Sequence, residues 1–331
     1  MMSAKYMALA LAVLLPGCTM APNYVRPEAP VAEAWPDDLM PKGTVLAQAT
    51  DQLASEIGWK TFFTDQHLQR LIQLALDNNR DLRVSALNIE RARGLYQIQR
   101  ADLMPGVSAS GESSNKGVSA DLSTTGEQTV SRQHSLGVGV TSYELDFFGR
   151  IQSLKDKALE TYLGTEEAYR SARLSLVSEV AQAYLALVAD RERLNIATET
   201  LKSQQASYEM IARRHSVGVS SELDLRQAQT SVDTARVDIA RYSGQVAKDI
   251  TALSLLAGTK VTPDMLPAKA LSELPVWPDI PVSLPSTVLL QRPDILQAEH
   301  TLKAANADIG AARANKACRN PQPVCDSSPS R

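Results

Sequence analysis

The feature that most constrains this sequence is a heptad-like apolar pattern across residues 176–256. It consists of two runs, and within each run apolar residues recur at alternating steps of four and three. A mean spacing of about 3.5 residues is typical of α-helices that wind around each other in pairs. The apolar positions are Leu176, Val180, Ala183, Leu187, Leu194, Ala197, Leu201, Tyr208 and Ile211 in the first run, and Leu225, Ala228, Val232, Ala235, Ile239, Tyr242, Val246, Leu253 and Leu256 in the second; the polar exceptions are Asp190, Gln204 and Asp249.

A polar segment at residues 213–224 separates the two runs. Within it, Gly218 permits the left-handed backbone that ends a helix, and Ser220 or Ser221 can accept hydrogen bonds from the first amides of the next helix. The sequence therefore predicts an antiparallel helical hairpin. If the first arm begins near Ile151, it holds about 60 residues and reaches about 90–100 Å. A rod of that length is suited to spanning a distance and presenting its tip.

Composition favours helical rods over a thick globular core, because only 5% of the 331 residues are aromatic. The net charge is −3, and a nucleic-acid partner would require a basic surface. We therefore expect no nucleic-acid partner.

The N-terminus has the pattern of a bacterial lipoprotein signal. Lys5 precedes an apolar run at residues 7–15, and Cys18 follows a small residue at the end of that run. A stretch this short is typical of a signal peptide. The lipobox-like pattern predicts cleavage before Cys18 and a lipid on its thiol. An unmodified cysteine near an ordinary cleavage site is the alternative.

Two later segments predict β-strands. No segment after the signal has eighteen uninterrupted apolar residues, so a membrane crossing would require strands. Residues 107–111 and 136–141 alternate larger apolar residues with small or polar ones, which is typical of an outer-membrane strand. The polar residues 113–133 are predicted to form a long external loop between these strands. The alternative to a pair of outer-membrane strands is a soluble β-hairpin. The candidate lipid-facing residues are Val107, Leu136, Val138 and Val140.

A weak internal repeat places residues 294–314 on residues 81–101 without a gap. The match ends near Asn315, and the following residues resemble a disordered tail. The boundaries predicted along the chain are a signal peptide at 1–17, a lipid-anchored extended segment at 18–57, the helical start of a first repeat at 58–104, the β-hairpin at 105–142, the long helical hairpin at 143–257, a proline-rich linker at 258–293, the first helix of a second repeat at 294–314 and an aberrant tail at 315–331.

No constellation of residues predicts catalysis or metal binding. The four histidines are scattered without ligand spacing. Cys318 and Cys325 could form a disulfide in an oxidising compartment, or could be incidental. We expect a protein that is not an enzyme and has no cofactor apart from a covalent lipid on Cys18.

Several short motifs follow one another along the chain: the lipobox with residues 22–24, then 59–63, 78–83, 98–103, 143–150, 218–229, 285–286 and 292–295. Together they resemble the motifs of outer-membrane efflux lipoproteins of the TolC superfamily, and of the OprM type in particular. The resemblance implies a mainly α fold with a small β part, in which a two-stranded transmembrane β-hairpin adjoins a coiled-coil hairpin.

Members of this superfamily resemble one another in carrying two such halves, and three chains close a twelve-strand barrel above a helical tunnel. The resemblance therefore implies that this sequence contains one complete half and the first helix of the second. An interrupted second half would leave the outer β-strands without partner strands in lipid. Each unpaired backbone N–H or C=O group there is energetically costly. On that basis we expect channel activity to be impaired.

The resemblance also implies a location, partners and a docking site. The location is the outer membrane, lipid-anchored and extending into the periplasm. The partners are two further copies of the chain, a periplasmic adaptor and an inner-membrane drug pump of the RND type. The function is a passive exit duct for drugs; the alternative is a non-conducting lipoprotein whose hairpin only binds partners. Candidate adaptor contacts at the tip are Gly218, Ser220, Ser221, Leu223 and Asp224, although Gly and Ser could merely cap helices and Leu223 could pack inside.

Overall fold

The computed structural model describes residues 19–28, 57–122, 124, 126–267, 270–275 and 286–319. Signal peptide, Cys18, Cys325 and the end of the predicted tail lie outside the described residues. The helices are α1 (Trp59–Phe62), α2 (Gln66–Asn78), α3 (Arg80–Ala101), α4 (Arg150–Ser216), α5 (Glu222–Ala257) and α6 (Pro293–Arg319); the strands are β1 (Gly106–Val118) and β2 (Thr129–Ser142). Short 3-10 turns lie at Ala120–Leu122, Pro263–Met265, Leu271–Glu273 and Ser286–Gln291.

The described residues belong to two compact units. The unit that we call the strand unit takes them from Met1–Glu28, Ile89–Thr165 and Gln297–Arg331. The core unit takes them from Ala29–Asn88 and Glu166–Leu296. Helices α3, α4 and α6 therefore each contribute residues to both units.

The hydrophobic core lies in the core unit, where α2 packs against α4 and α5. The apolar face of α2 consists of Leu68, Leu71, Ile72 and Ala75, at the three- and four-residue steps that place side chains on one side of a helix. It meets Val180, Tyr184 and Leu187 of α4 and Leu253 and Ala257 of α5, all of which are buried.

The Asp65 carboxylate accepts hydrogen bonds from two polar groups at the edge of this core. The Asp65 side chain caps α2, accepting from the Leu68 amide at 2.9 Å, and it also accepts from the Tyr184 hydroxyl at 3.2 Å. Burial, followed by the nearby Asp65 charge, raises the pKa of Tyr184. The tyrosine therefore remains a neutral donor, and its hydroxyl has a partner inside the core.

The turn between α2 and α3 packs directly against the end of α5. Asn79 caps α3 by accepting from the Leu82 amide at 2.8 Å, and its side chain donates to the Leu256 carbonyl at 2.9 Å. Gly258 ends α5 with a positive φ of 66°. A Cβ at Gly258 would lie 2.3 Å from the Asn78 carbonyl oxygen. Both the close approach and the left-handed backbone therefore require glycine at this position.

The helical hairpin matches the heptad-like pattern closely. We call the line of pattern positions along each arm, with its polar exceptions, a seam. Helix α4 contains 67 residues, so it is about 100 Å long. Every seam position predicted on α4 and α5, the polar ones included, is buried or half-buried. The prediction of a mainly helical fold built on a long hairpin is therefore confirmed.

By length and composition alone, α4 is apolar enough to cross a membrane, with a mean hydropathy of 1.2 over an 18-residue stretch. Buried core helices can have the same length and composition. Here the apolar residues of α4 form the hydrophobic core with α2 and α5. We therefore attribute its hydropathy to packing.

The β-hairpin is longer than the sequence predicted. Strands β1 and β2 pair antiparallel from Val107 opposite Val140 to Val118 opposite Thr129, with an irregularity in register beside Gly106. The prediction that residues 113–133 form a loop is wrong for most of that segment, because the ladder continues to Val118 and resumes at Thr129. A ladder is held by backbone hydrogen bonds, so polar residues on both faces do not end it.

Helix α6 also extends beyond its predicted end. It runs to Arg319, whereas the sequence repeat ended at Ala314. Helix propensity explains the difference, because residues 315–319 include Lys, Ala and Arg, which favour helix without any repeat.

Candidate functional site

One face of the β-hairpin carries the four residues predicted to face lipid. Val107 lies opposite Val140, Ala109 opposite Val138, and Gly111 opposite Leu136. Residues directly opposite in an antiparallel pair point to the same side. These side chains are strongly exposed, Leu136 at 94% and Val138 at 80%. The structure therefore places Val107, Leu136, Val138 and Val140 in one exposed apolar patch.

The other face of the same strands is polar and small. Ser108 lies opposite Gly139, and Ser110 opposite Gly137. This face continues through Glu112 opposite Ser135. The hairpin thus separates an apolar face from a polar one, which is the arrangement of a strand between lipid and water.

The chain leaves β2 through a charged and aromatic junction that fixes the start of α4. Asp146 accepts from the amides of Arg150 at 2.6 Å and Gln152 at 2.9 Å, which satisfies the free amides of the first turn. The Arg150 side chain donates to Glu144 at 2.8 Å. The exposed aromatic residues at this junction are Tyr143, Phe147 and Phe148.

The tip of the helical hairpin is closed by backbone geometry and a capping box. Gly218 has a φ of 78°, and its amide donates to the His215 carbonyl at 2.9 Å. The Asp224 amide donates to the Ser221 hydroxyl, and the Ser221 amide to the Asp224 carboxylate, each at 3.1 Å. Hydrogen bonds to its carboxylate from the Ser221 side chain and amide, and from the Ser220 hydroxyl, lower the pKa of Asp224. The predicted tip polar residues therefore have structural roles in the turn.

The tip also exposes an apolar surface. Leu223 is 66% exposed, so it does not pack inside the hairpin. Val217 and Val219, in the same turn, are also exposed, and neither was among the predicted adaptor contacts. The sequence contained a signal for both valines, because apolar side chains in a turn otherwise made of glycine and polar residues have no hydrophobic core in which to pack. We call Val217, Val219 and Leu223 the tip patch.

The two acidic exceptions in the seams lie against each other in the middle of the hairpin. Asp190 and Asp249 are 7% and 9% exposed. Asp190 accepts from Arg193 at 2.5 Å and Asp249 from Gln245 at 3.0 Å, but Asp249 Oδ2 is buried with no donor among the described atoms. Burial raises the pKa of Asp249, and the neighbouring Asp190 raises it further, while the Gln245 hydrogen bond partly offsets both.

We expect the Asp249→Asn variant to remove part of the pH dependence of stability. A carboxyl with a raised folded-state pKa binds more protons in the folded protein, so stability falls as pH rises from about 4, the ordinary aspartate pKa, through the raised value. The amide has no such proton to lose. Thermal unfolding followed by circular dichroism across this window should show a flatter dependence for Asp249→Asn. The Asp233→Asn control, an exposed site on the same helix, should keep the wild-type dependence; equal flattening in both would contradict the assignment.

A sequence model of the family described as "Outer membrane efflux protein" matches residues 71–259. This chain belongs to that family. It is 48% identical over 315 residues to the toluene efflux pump outer membrane protein TtgC of Pseudomonas putida, and 41% identical over 307 residues to the outer membrane protein OprJ of Pseudomonas aeruginosa. These alignments cover 95% and 93% of this chain, and 64% and 63% of the two relatives.

Solved structures agree with the sequence comparison. A membrane protein from Pseudomonas aeruginosa superposes with a TM-score of 0.73 at 40% identity, and the open state of the Neisseria gonorrhoeae MtrE outer membrane channel with 0.72 at 34%. Each match covers 90% of this chain and 64% of the other. The chain therefore spans slightly less than two thirds of the length of these relatives.

As an outer membrane efflux protein, the chain is a non-enzymatic component of the outer membrane that extends into the periplasm. The expected TolC-like fold is thereby confirmed. In the part of the chain that the structure describes, no three His, Cys, Asp or Glu side chains are grouped to hold a metal ion. The lipid on Cys18, the adaptor contacts and the lipid-facing residues stay predictions.

Proposed function

We propose that this outer membrane efflux protein acts as the passive exit duct of a tripartite pump. The observation that carries the proposal is the two-faced β-hairpin joined to a long helical arm that ends in an exposed apolar tip. The names of similar proteins support it: TtgC is a toluene efflux pump component, and ArpC of Pseudomonas putida an antibiotic efflux pump component. We infer that the exported compounds include small apolar molecules of the toluene kind.

The β-hairpin would supply part of the wall of the duct. In a trimer of the family type, to which each copy of this chain would bring one β-hairpin, the apolar strand face would lie towards lipid and the serine and glycine face towards a water-filled bore. Small polar side chains such as Ser108 and Ser110 leave room for passing molecules and remain hydrated. Lipid on Cys18 would hold the chain at the same membrane. No chemical step is needed, because an inner-membrane pump supplies the driving force.

The helical arm supplies the docking site. Interfaces obtain most of their binding energy from a few apolar anchors, and exposed apolar residues at the end of a rod are available for this purpose. We propose that the tip patch, held in shape by Gly218 and the Ser221–Asp224 capping box, binds a periplasmic adaptor. Ser220 would contribute a hydroxyl beside the same turn.

The Leu223→Ser variant tests this role. We expect binding of the full chain in detergent micelles to an immobilised periplasmic adaptor of the host pump to weaken about tenfold, because an apolar anchor is removed. Val237→Ser is the matched control, since Leu223 and Val237 lie on the same helix and are both 66% exposed. Equal losses in both variants, or no loss in either, would contradict docking at the tip. Adaptor binding without export of drug would favour the alternative, a partner-binding lipoprotein.

A further inference from the structure

Residues 19–28, which follow Cys18 and which we call the strap, lie along one side of α6 within the strand unit. Arg26 donates to Glu299 at 3.1 Å, and the Lys303 ammonium lies 5.4 Å from the centre of the Tyr24 ring. Further along, Asn306 donates to the Pro22 carbonyl at 2.6 Å and Arg313 to the Met20 carbonyl at 3.4 Å. The contacting residues of α6 are Glu299, Lys303, Asn306, Gly310 and Arg313, which recur every three or four positions and so share one helix face.

Gly310 is the point of closest approach. A Cβ at this position would lie 2.7 Å from the Ala21 amide nitrogen and 2.8 Å from the Ala21 Cα and Cβ. Two of these atoms are strap backbone, which cannot rotate away as the end of a flexible side chain could. A glycine inside a helix weakens the helix, and the close approach of another backbone is one packing reason for it. The strap provides that reason.

The matching helix of the first repeat lacks this docking face. When residues 294–314 are placed on residues 81–101, Glu299 falls on Ala86, which has no carboxylate for Arg26. Lys303 falls on Glu90, which would place a negative charge beneath the Tyr24 ring, where the ring face favours a cation. Gly310 falls on Gln97, whose side chain would occupy the space of Ala21.

We propose that this face of α6 is a dedicated docking surface for the strap, and that Gly310 decides which of the two repeat helices binds it. The partner is the extended, proline-containing segment of the same chain. Docking also brings Thr19 Oγ1 to 3.4 Å from the buried Ser153 Oγ in the first turn of α4. The residue after Cys18 is thereby held at the start of the long helix. Any role of this position in holding a lipid anchor depends on the proposed lipidation of Cys18. The docking of the strap does not depend on it.

The Gly310→Ala variant tests the proposal in the full chain in detergent micelles. Alanine favours helix more than glycine does, so α6 stays folded while the strap loses its site. Chymotrypsin cleavage between Tyr24 and Val25, followed by mass spectrometry, reports release of the strap. We expect cleavage to be about tenfold faster, because proteolysis follows the population of the open form.

Two further variants keep the test decisive. Gly94→Ala introduces the same methyl group into a helix of the first repeat, where no atom lies within 4 Å of the new Cβ, and cleavage should not change. Glu299→Ala introduces the residue that α3 has at the matching position and should accelerate cleavage by removing the partner of Arg26. If neither Gly310→Ala nor Glu299→Ala accelerates cleavage, or if Gly94→Ala accelerates it equally, the proposal is overturned.

Discussion

The Gly258→Ala variant is expected to lose about 3–4 kcal/mol of stability in the core unit, which is near the upper end for a single substitution. A side chain in the left-handed conformation costs about 1–2 kcal/mol. The larger part comes from the new Cβ, which would lie 2.3 Å from the Asn78 carbonyl oxygen and 3.2 Å from Asn79 Cα. The turn that caps α3 must therefore separate from the end of α5. Thermal unfolding followed by circular dichroism should show a midpoint lower by about 8–15 °C.

Gly218 provides the matched control for this variant. Its φ of 78° is also left-handed, but no atom lies within 4 Å of a Cβ built there. The Gly218→Ala variant should therefore show only the backbone cost, about 1–2 kcal/mol. Equal losses in the two variants would mean that the contact between Gly258 and the Asn78 carbonyl does not limit stability.

The Val138→Arg variant is expected to prevent stable insertion of the β-hairpin into the outer membrane. A cationic side chain on the lipid face of a barrel costs about 2–4 kcal/mol near the middle of the bilayer. Val138 is the central residue of the apolar patch on β2, between Leu136 and Val140. Cell fractionation and flotation of membranes should show most of the variant protein outside the outer-membrane fraction.

The adjacent residue serves as the control. Gly139 points to the opposite, polar face, and nothing lies within 4 Å of a Cβ at that position. Because the proposed bore would keep a residue on this face hydrated, the Gly139→Arg variant should fractionate as the wild type does. Loss of both variants from the outer membrane would contradict the two-faced assignment, as would retention of both.

The helical hairpin could be predicted from sequence because its apolar spacing is repeated many times. Each apolar seam residue adds to one period, so the polar exceptions at Asp190 and Asp249 did not obscure it. What the pattern could not reveal was that these two carboxyls meet. Their pairing depends on the register between α4 and α5, which is set by the geometry of the turn at Gly218.

The strands were predicted only where hydrophobicity alternates. Between Ser113 and Val118, and again from Thr129 to Gln133, both faces of the sheet are mostly polar or small, so a period of two cannot be recognised. The backbone ladder alone continues the strands there. Apolar alternation therefore located the part of the hairpin assigned to lipid and missed the remainder.

Tertiary contacts of single residues left no sequence signal. Gly310 lies in a helical pattern with nothing to mark it, and the strap that explains it is distant in sequence. Likewise, the hydrogen bond from the Asn79 side chain to the Leu256 carbonyl depends on the folded core and has no local sequence signal.

If the β-hairpin of this outer membrane efflux protein presents one face to lipid and the other to water, alternate residues of β2 must lie in different surroundings. The most direct test attaches an environment-sensitive fluorophore to single cysteines at residues 135–140 of the full chain, reconstituted into phospholipid vesicles. We predict strong, lipid-quenchable emission at positions 136, 138 and 140, and weak emission quenched by aqueous iodide at 135, 137 and 139. Uniform exposure to iodide at all six positions would contradict the account.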